Sequence, residues 1–293
     1  VSLKEEPKEV PAPLLLDLTA ASRIANKKFG FKGKKTSELL QSLYLKKLIT
    51  YPRTSSQYVT PTEIALMHKS FDVLQSAFPQ LARNGNKAFV TAENKRICNV
   101  EKVSDHHALL PEPVIPTDLT EDERKVYEMV VEHFFLQFHA PAKWQHLTIH
   151  TKVNQYDFLS HYKTAISLGW QAVIPKEDTE DDEKEGYPNV NQQLPTTCIQ
   201  SSMSEKETTP PALYTDGSLL DIMSNISRRI EDKKMKEVLK DRGIGTVATR
   251  SDTIAKLVDN GYLEYDKKNL NITKAGITVI EMFRKTNVQT LTS

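Results

Sequence analysis

Apolar positions change their period several times along the chain, and the changes divide it. After residue 14 they recur at helical spacing (Ile24, Ala25, Phe29), with Asp17 or Thr19 to cap the start and Gly30 to stop the end. Leu39/Leu43 and Leu40/Tyr44 are four-residue pairs that predict a second helix over 36–47. Leu48-Ile49-Thr50-Tyr51 is short, apolar and β-branched, and reads as a strand. Thr60-Pro61-Thr62-Glu63 has capping-box spacing with Pro at the first helical position, which predicts a helix of about 15 residues. Thr120–Glu123 repeats the box ahead of a long amphipathic series from Val126 to Phe138, ended near Pro141.

The period then drops to two. Leu147, Ile149, Thr151 and Val153 alternate as in a half-buried strand, and further strands are expected over 156–166, 170–174 and 197–202. Helical spacing returns near 216–229, 234–240 and 248–260. A hairpin over 263–272 and a last helix from Thr273 follow. Residues 1–14, rich in Pro, Glu and Lys, read as an entry strand or linker. The fold class is therefore multidomain α+β: mostly helical modules of winged-helix character plus a small antiparallel β domain.

Composition narrows the class. The 293 residues suit two or three domains, with 39% hydrophobic and 26% charged residues as in a globular protein. No apolar run reaches the roughly 18 residues of a membrane span, so no membrane partner is expected. Two cysteines, Cys98 and Cys198, are too few for a disulfide framework or a thiolate metal site, and a cytoplasmic location is expected. The start lacks both a signal core and an initiator Met, as expected for a piece of a longer chain.

The net charge of +1 conceals segregation: nine basic residues against one acid between Arg23 and Arg53, and seven acids with two lysines over 176–185. The basic block reads as a phosphate-binding face or, more blandly, as a solvated lysine face. The acidic run reads as a mobile loop.

The segment Tyr51-Pro52-Arg53 carries the most chemistry. Pro52 biases Tyr51 toward extended backbone, where Tyr51 and Arg53 share a face. A phenol beside a guanidinium can attack a phosphodiester while the guanidinium grips the phosphate. A buried structural tyrosine with a surface arginine is the other reading. His106-His107 reads as a surface loop; two adjacent histidines without a third ligand make a poor metal site, so no metal ligand is assigned. Gly243-Ile244-Gly245 reads as an interhelix turn or as a close backbone approach to phosphate.

Three segments in order resemble the type IA DNA topoisomerases, especially the bacterial topoisomerase III branch. "QSLYLKKLITYPRTSSQYVTP" looks like the family's active-site segment, which places the nucleophile at Tyr51. Ser55 stands where family members often carry Asp and receives no catalytic part. "SDHHALLP" is similar to the family's DHHAIIPT, whose first His positions the scissile phosphate, here His106. "PPALYTDGSLLDIM" and "LKDRGIGTVATRSDTIAKL" resemble segments lining the family's single-stranded DNA groove, which implies DNA-binding parts for Thr215, Gly243, Gly245, Thr249 and Arg250. Leu213 replaces an Arg and Val247 a Pro of the family pattern.

The resemblance implies a β-arch strand end or linker at 1–14, a CAP-like domain at 15–140 carrying the nucleophilic Tyr, a β-arch segment at 141–204 and a winged-helix-like DNA-groove domain at 205–293. It implies strand cleavage through a 5′-phosphotyrosyl intermediate, strand passage and religation without ATP, in a bacterial, nucleoid-associated enzyme. Magnesium would be bound by an acidic Toprim domain that this sequence does not supply, so the chain alone is expected to bind single-stranded DNA and to hold no cofactor and little activity. The alternative is a non-catalytic winged-helix DNA-binding module or regulator.

Overall fold

The computed structural model describes residues 1–174, 184–186, 188, 199–239 and 243–286. Strand β1 (Ser2–Val10) precedes helices α1 (Leu18–Phe29), α2 (Gly33–Leu45), α3 (Pro61–Leu74), the single turn α4 (Pro79–Ala82) and α5 (Glu121–Leu136). Strands β2 (Ala142–Val153), β3 (Tyr156–Ser167) and β4 (Lys184–Glu185) follow, then α6 (Asp216–Ser224), α7 (Lys233–Leu239), α8 (Arg250–Asp259), the hairpin β5 (Leu263–Asp266) and β6 (Asn269–Ile272), and α9 (Lys274–Lys285). The mixed helix-and-sheet class matches the alternation of periods in the sequence.

The chain forms two compact units, each discontinuous in sequence. The first comprises residues 1–13, 78–89 and 135–210. Its sheet has the order β1-β2-β3-β4, antiparallel until the two-residue parallel pairing of β4 with Tyr162 and Lys163. Ala12, Leu136, Ala142 and Trp170 form a small core in this unit. The expected strand over 170–174 is instead a 3₁₀ turn, Gly169–Ala172. Gly169 takes a left-handed φ of 49°, and the Trp170 indole N–H donates to the Val10 carbonyl at 2.9 Å, which turns the segment inward. Residues 199–202 have no regular structure; the rest of the 197–202 expectation, and the acidic run but for Lys184 and Glu185, lie outside the described residues.

The second unit comprises residues 14–77, 90–134 and 211–293. Its helix ends follow the capping residues of the sequence. The Asp17 carboxylate accepts the Ala20 N–H at 2.6 Å, and Gly30 closes α1 at φ 71°. Thr60 and Glu63 form the capping box of α3, and Thr120 and Glu123 exchange the same bonds ahead of α5. The expected helix over 216–229 ends at Ser224 and continues as a 3₁₀ turn, Ile226–Arg229. Leu220, Ile254 and Leu270 form a core that joins α6, α8 and the hairpin. At the start of α2 a Cβ on Gly33 would lie 2.7 Å from the Leu220 Cδ1 and 2.8 Å from the Ser251 Oγ, so only glycine lets α2 approach this closely. Buried Asp216 locks the contact, accepting the Gly33 N–H and, at 2.7 Å, the Tyr265 hydroxyl.

Candidate functional site

The segment carrying Tyr51 leaves α2 through Lys47, a non-glycine residue at φ 58°, with the Leu48 N–H returning to the Leu43 carbonyl at 3.0 Å. The expected strand over 48–51 is a single bridge, Ile49 to Pro111. Pro52 on one side and Pro111 on the other lack the N–H that a longer ladder needs.

Side-chain hydroxyls take over. The Thr50 N–H donates to the Leu110 carbonyl and the Leu110 N–H to the Thr50 Oγ1, both at 2.9 Å. The Thr54 hydroxyl donates to the His106 carbonyl at 2.9 Å, and the Ser56 hydroxyl to the Lys102 carbonyl at 2.9 Å. Thr50, Pro52, Thr54 and Ser56 are all buried. The alternation therefore turns Tyr51, Arg53 and Ser55 outward, with Arg53 and Ser55 exposed and Tyr51 half-buried.

The same bonds bring His106 to Tyr51 across 55 residues of sequence. The ring centroids are 4.6 Å apart at 50°, and the Tyr44 ring meets that of Tyr51 in a T-shaped contact at 5.4 Å and 81°. Tyr51, Arg53 and His106 thus belong to one patch, tied to α1 by the Leu18 N–H bond to the Thr54 carbonyl at 3.1 Å.

Beside the patch opens a groove of about 1030 Å³, lined by Arg53–Ser55 and Gln57, the start of α1, the 101–106 turn, the end of α6 and the loop 243–250. Among the described residues four exposed cations face it: Arg23, Arg53, Lys102 and Arg228. Sequence reasoning missed the last two, which stand outside the basic block, and it missed Asp17 as a wall of the groove. Burial pushes the Asp17 carboxyl up to about 6 against the opposing pull of the Ala20 N–H, Arg250 and Arg23. Of the basic block, Lys28, Lys35 and Lys46 pair with Glu132, Asp122 and Glu123 of α5 at 2.9, 2.6 and 2.8 Å. The block is therefore no single phosphate face. Its line-up at the groove is Arg23 and Arg53.

The residues implied by resemblance occupy different places. Gly243 and Gly245, at φ 66° and 67°, form the groove-side loop. A Cβ on Gly243 would meet the Met223 carbonyl oxygen at 2.5 Å, whereas Gly245 has room and needs glycine for its dihedral alone. Thr249 caps the loop from below, accepting the Thr246 N–H at 3.2 Å and sharing a 2.8 Å bond with its hydroxyl. Arg250 is buried, its guanidinium bonded to the Ile244 and Gly245 carbonyls. Burial lowers the pKa of that guanidinium from its usual value while Asp17 opposes the shift. Thr215 does not line the groove; it caps α6, accepting the Ser218 N–H at 3.2 Å. Leu213 is exposed. Among the described residues no group of three or more His, Cys, Asp or Glu could hold a metal ion.

A phenol packed against an imidazole thus stands beside a groove that, among the described residues, four exposed cations face. A family model described as DNA topoisomerase matches residues 1–293. The DNA topoisomerase 3 of Bacillus licheniformis is 35% identical over 300 residues, and that of Bacillus subtilis strain 168 is 32% identical over 298 residues. Both alignments cover 96% of this chain and 40% of the relative, so the chain spans well under half the length of these relatives. Full-length topoisomerase I from Thermotoga maritima shares the fold at a TM-score of 0.64, with 21% identity over 97% of this chain and 44% of that one. With the match running from the first residue to the last, over the tyrosine segment, the histidine turn and the glycine loop alike, the chain belongs to the DNA topoisomerase family.

Proposed function

We propose that this chain supplies the nucleophile and a strand-binding groove of a type IA topoisomerase. The Tyr51 oxygen attacks a backbone phosphorus; a phosphotyrosyl bond forms at the 5′ side, the bond to the 3′ oxygen breaks, and the phenolic proton is balanced by the proton gained on the 3′-hydroxyl. After strand passage the 3′-hydroxyl reverses the attack. One ester replaces another, so no ATP is consumed. Arg53 grips the phosphate and His106 orients it beside the ring.

The bound strand is single, its phosphates met by the groove cations and its bases free to stack on aromatic rings. Residues 15–140 act as the CAP-like nucleophile domain, 141–204 as arch and 205–293 as a winged-helix-like module in which α8 and the β5–β6 hairpin form helix and wing. Thr215, Gly243, Gly245 and Thr249 serve the groove by shaping α6 and the loop. Among the described residues no group of three or more His, Cys, Asp or Glu stands at the groove, and no step is routed through a metal. No helix is long and apolar enough to cross a membrane among the described residues, and the enzyme is read as working where bacterial DNA lies, in the cytoplasm.

The observation that carries the reading is the alternation over 50–56, which turns Tyr51 and Arg53 to one side with His106 against the ring. The test is a covalent trap with the full gene product, magnesium and an end-labelled oligonucleotide. A 3′-labelled strand should become attached to protein in the presence of detergent, and Tyr51→Phe should abolish the adduct while strand binding persists. Attachment of a 5′-labelled strand instead, or an adduct that survives in Tyr51→Phe, would refute the proposal.

A further inference from the structure

The groove's cations are not all of one kind. Arg23, Arg53, Lys102 and Arg228 are exposed, whereas Arg250 is only 3% exposed. Three of its five N–H groups donate inside the protein: Nε to the Ile244 carbonyl at 2.8 Å, Nη2 to the Gly245 carbonyl at 3.1 Å and Nη1 to the Ser224 hydroxyl at 3.3 Å. The two carbonyls belong to the loop ahead of α8, and the third contact reaches the end of α6. The Ile244 N–H anchors the same loop to the Met223 carbonyl at 2.7 Å. A planar guanidinium can bridge three acceptors at once; a lysine ammonium in the same slot has no such fork.

We propose that Arg250 is a positioning residue for strand binding: it clamps the Gly243–Gly245 loop to α6 and does not itself touch a phosphate. The inference rests on the groove reading above and refines it. A cation that meets a phosphate displaces counterions, and each such contact to a single strand adds about 0.7 to the slope of log affinity against log salt. A clamp buried under the loop changes affinity and leaves that slope alone.

The test uses the full gene product, a fluorescent oligothymidine and sodium chloride from about 50 to 200 mM. Arg250→Lys keeps the charge and loses the fork. It should weaken binding about tenfold at every salt concentration with an unchanged slope, and amide exchange at Ile244 should accelerate. Arg228→Gln is the comparator and should reduce the slope by about 0.7. If Arg250→Lys gives no cooperative thermal transition, Ser224→Ala, which removes one of the three acceptors, should show the same pattern more weakly. Wild-type affinity in Arg250→Lys, a slope reduced by about 0.7 in Arg250→Gln, or Ile244 exchange unchanged in either variant overturns the clamp alone. Failure of the wild-type protein to bind the oligonucleotide overturns the groove reading and the clamp with it.

Discussion

Two neighbouring guanidinium groups should make a carboxyl a stronger acid, yet Asp17 is a weaker one. Burial at the first turn of α1 outweighs the Ala20 N–H, Arg250 and Arg23 and holds its pKa near 6 instead of 3.8. The folded protein therefore holds a proton there that the unfolded chain has released, and stability falls as pH rises from about 4 to 6 and stays reduced above it. Asparagine caps a helix about as well as aspartate and carries no charge to desolvate. Asp17→Asn should accordingly raise stability at pH 7 by on the order of 1 kcal/mol, less than half of what the full shift would give, because the site is partly open to solvent. Thermal unfolding at pH 7 and pH 4 is the check: the gain should be largest at pH 7 and nearly absent at pH 4. An equal gain at both pH values would assign it to capping and not to the buried charge.

At the scale of elements, α5 is held to α2 by Glu123. Its carboxylate accepts from the Lys46 ammonium at 2.8 Å and the Ser42 hydroxyl at 2.7 Å, and these bonds pull its pKa down to about 2. The depressed value means stability that is full above about pH 4.5 and is lost as pH falls toward 2. Glu123→Gln should therefore cost on the order of 1–2 kcal/mol near pH 7, less than the shift alone implies because Lys46 is well exposed, and the difference should close near pH 2. Urea unfolding across that range measures it.

The ends of α1, α3 and α5 were legible because Asp17, Thr60 and Thr120 act within three residues of themselves. The 48–51 segment reads as a strand in sequence because its partners, Leu110 and Pro111, lie some sixty residues away, and a proline's missing N–H matters only once the pairing is known. The turn at Trp170 is hidden for the same reason: its apolar neighbours look extended until the indole finds the Val10 carbonyl. The shared face of Tyr51 and Arg53 could be read in advance, since period-two alternation is local. The approach of His106 could not, because it depends on the Thr50 and Thr54 hydroxyls reaching a distant turn.

For the whole molecule, the question is how much of the charge reaches a ligand. A net charge of +1 gives almost no long-range attraction to a polyanion, so binding must come from cations placed locally. Reading the basic block as one phosphate face overstates the supply, because three of its lysines are neutralised by acids of α5. The groove keeps Arg23, Arg53, Lys102 and Arg228, with Asp221 standing 4.0 Å from the Arg23 Nε. Four phosphate contacts, one for each of these described cations, at about 0.7 each would contribute near 2.8 to the salt slope, or roughly a 50-fold loss of affinity for a fourfold rise in salt. If the whole basic block met the strand, nine cations would give a slope above about 6. Oligothymidine titrations at several salt concentrations separate the two cases. A slope between about 2 and 3 is expected, a value above about 5 would mean the lysines released from α5 join the interface, and Glu123→Gln should then steepen it further by freeing Lys46.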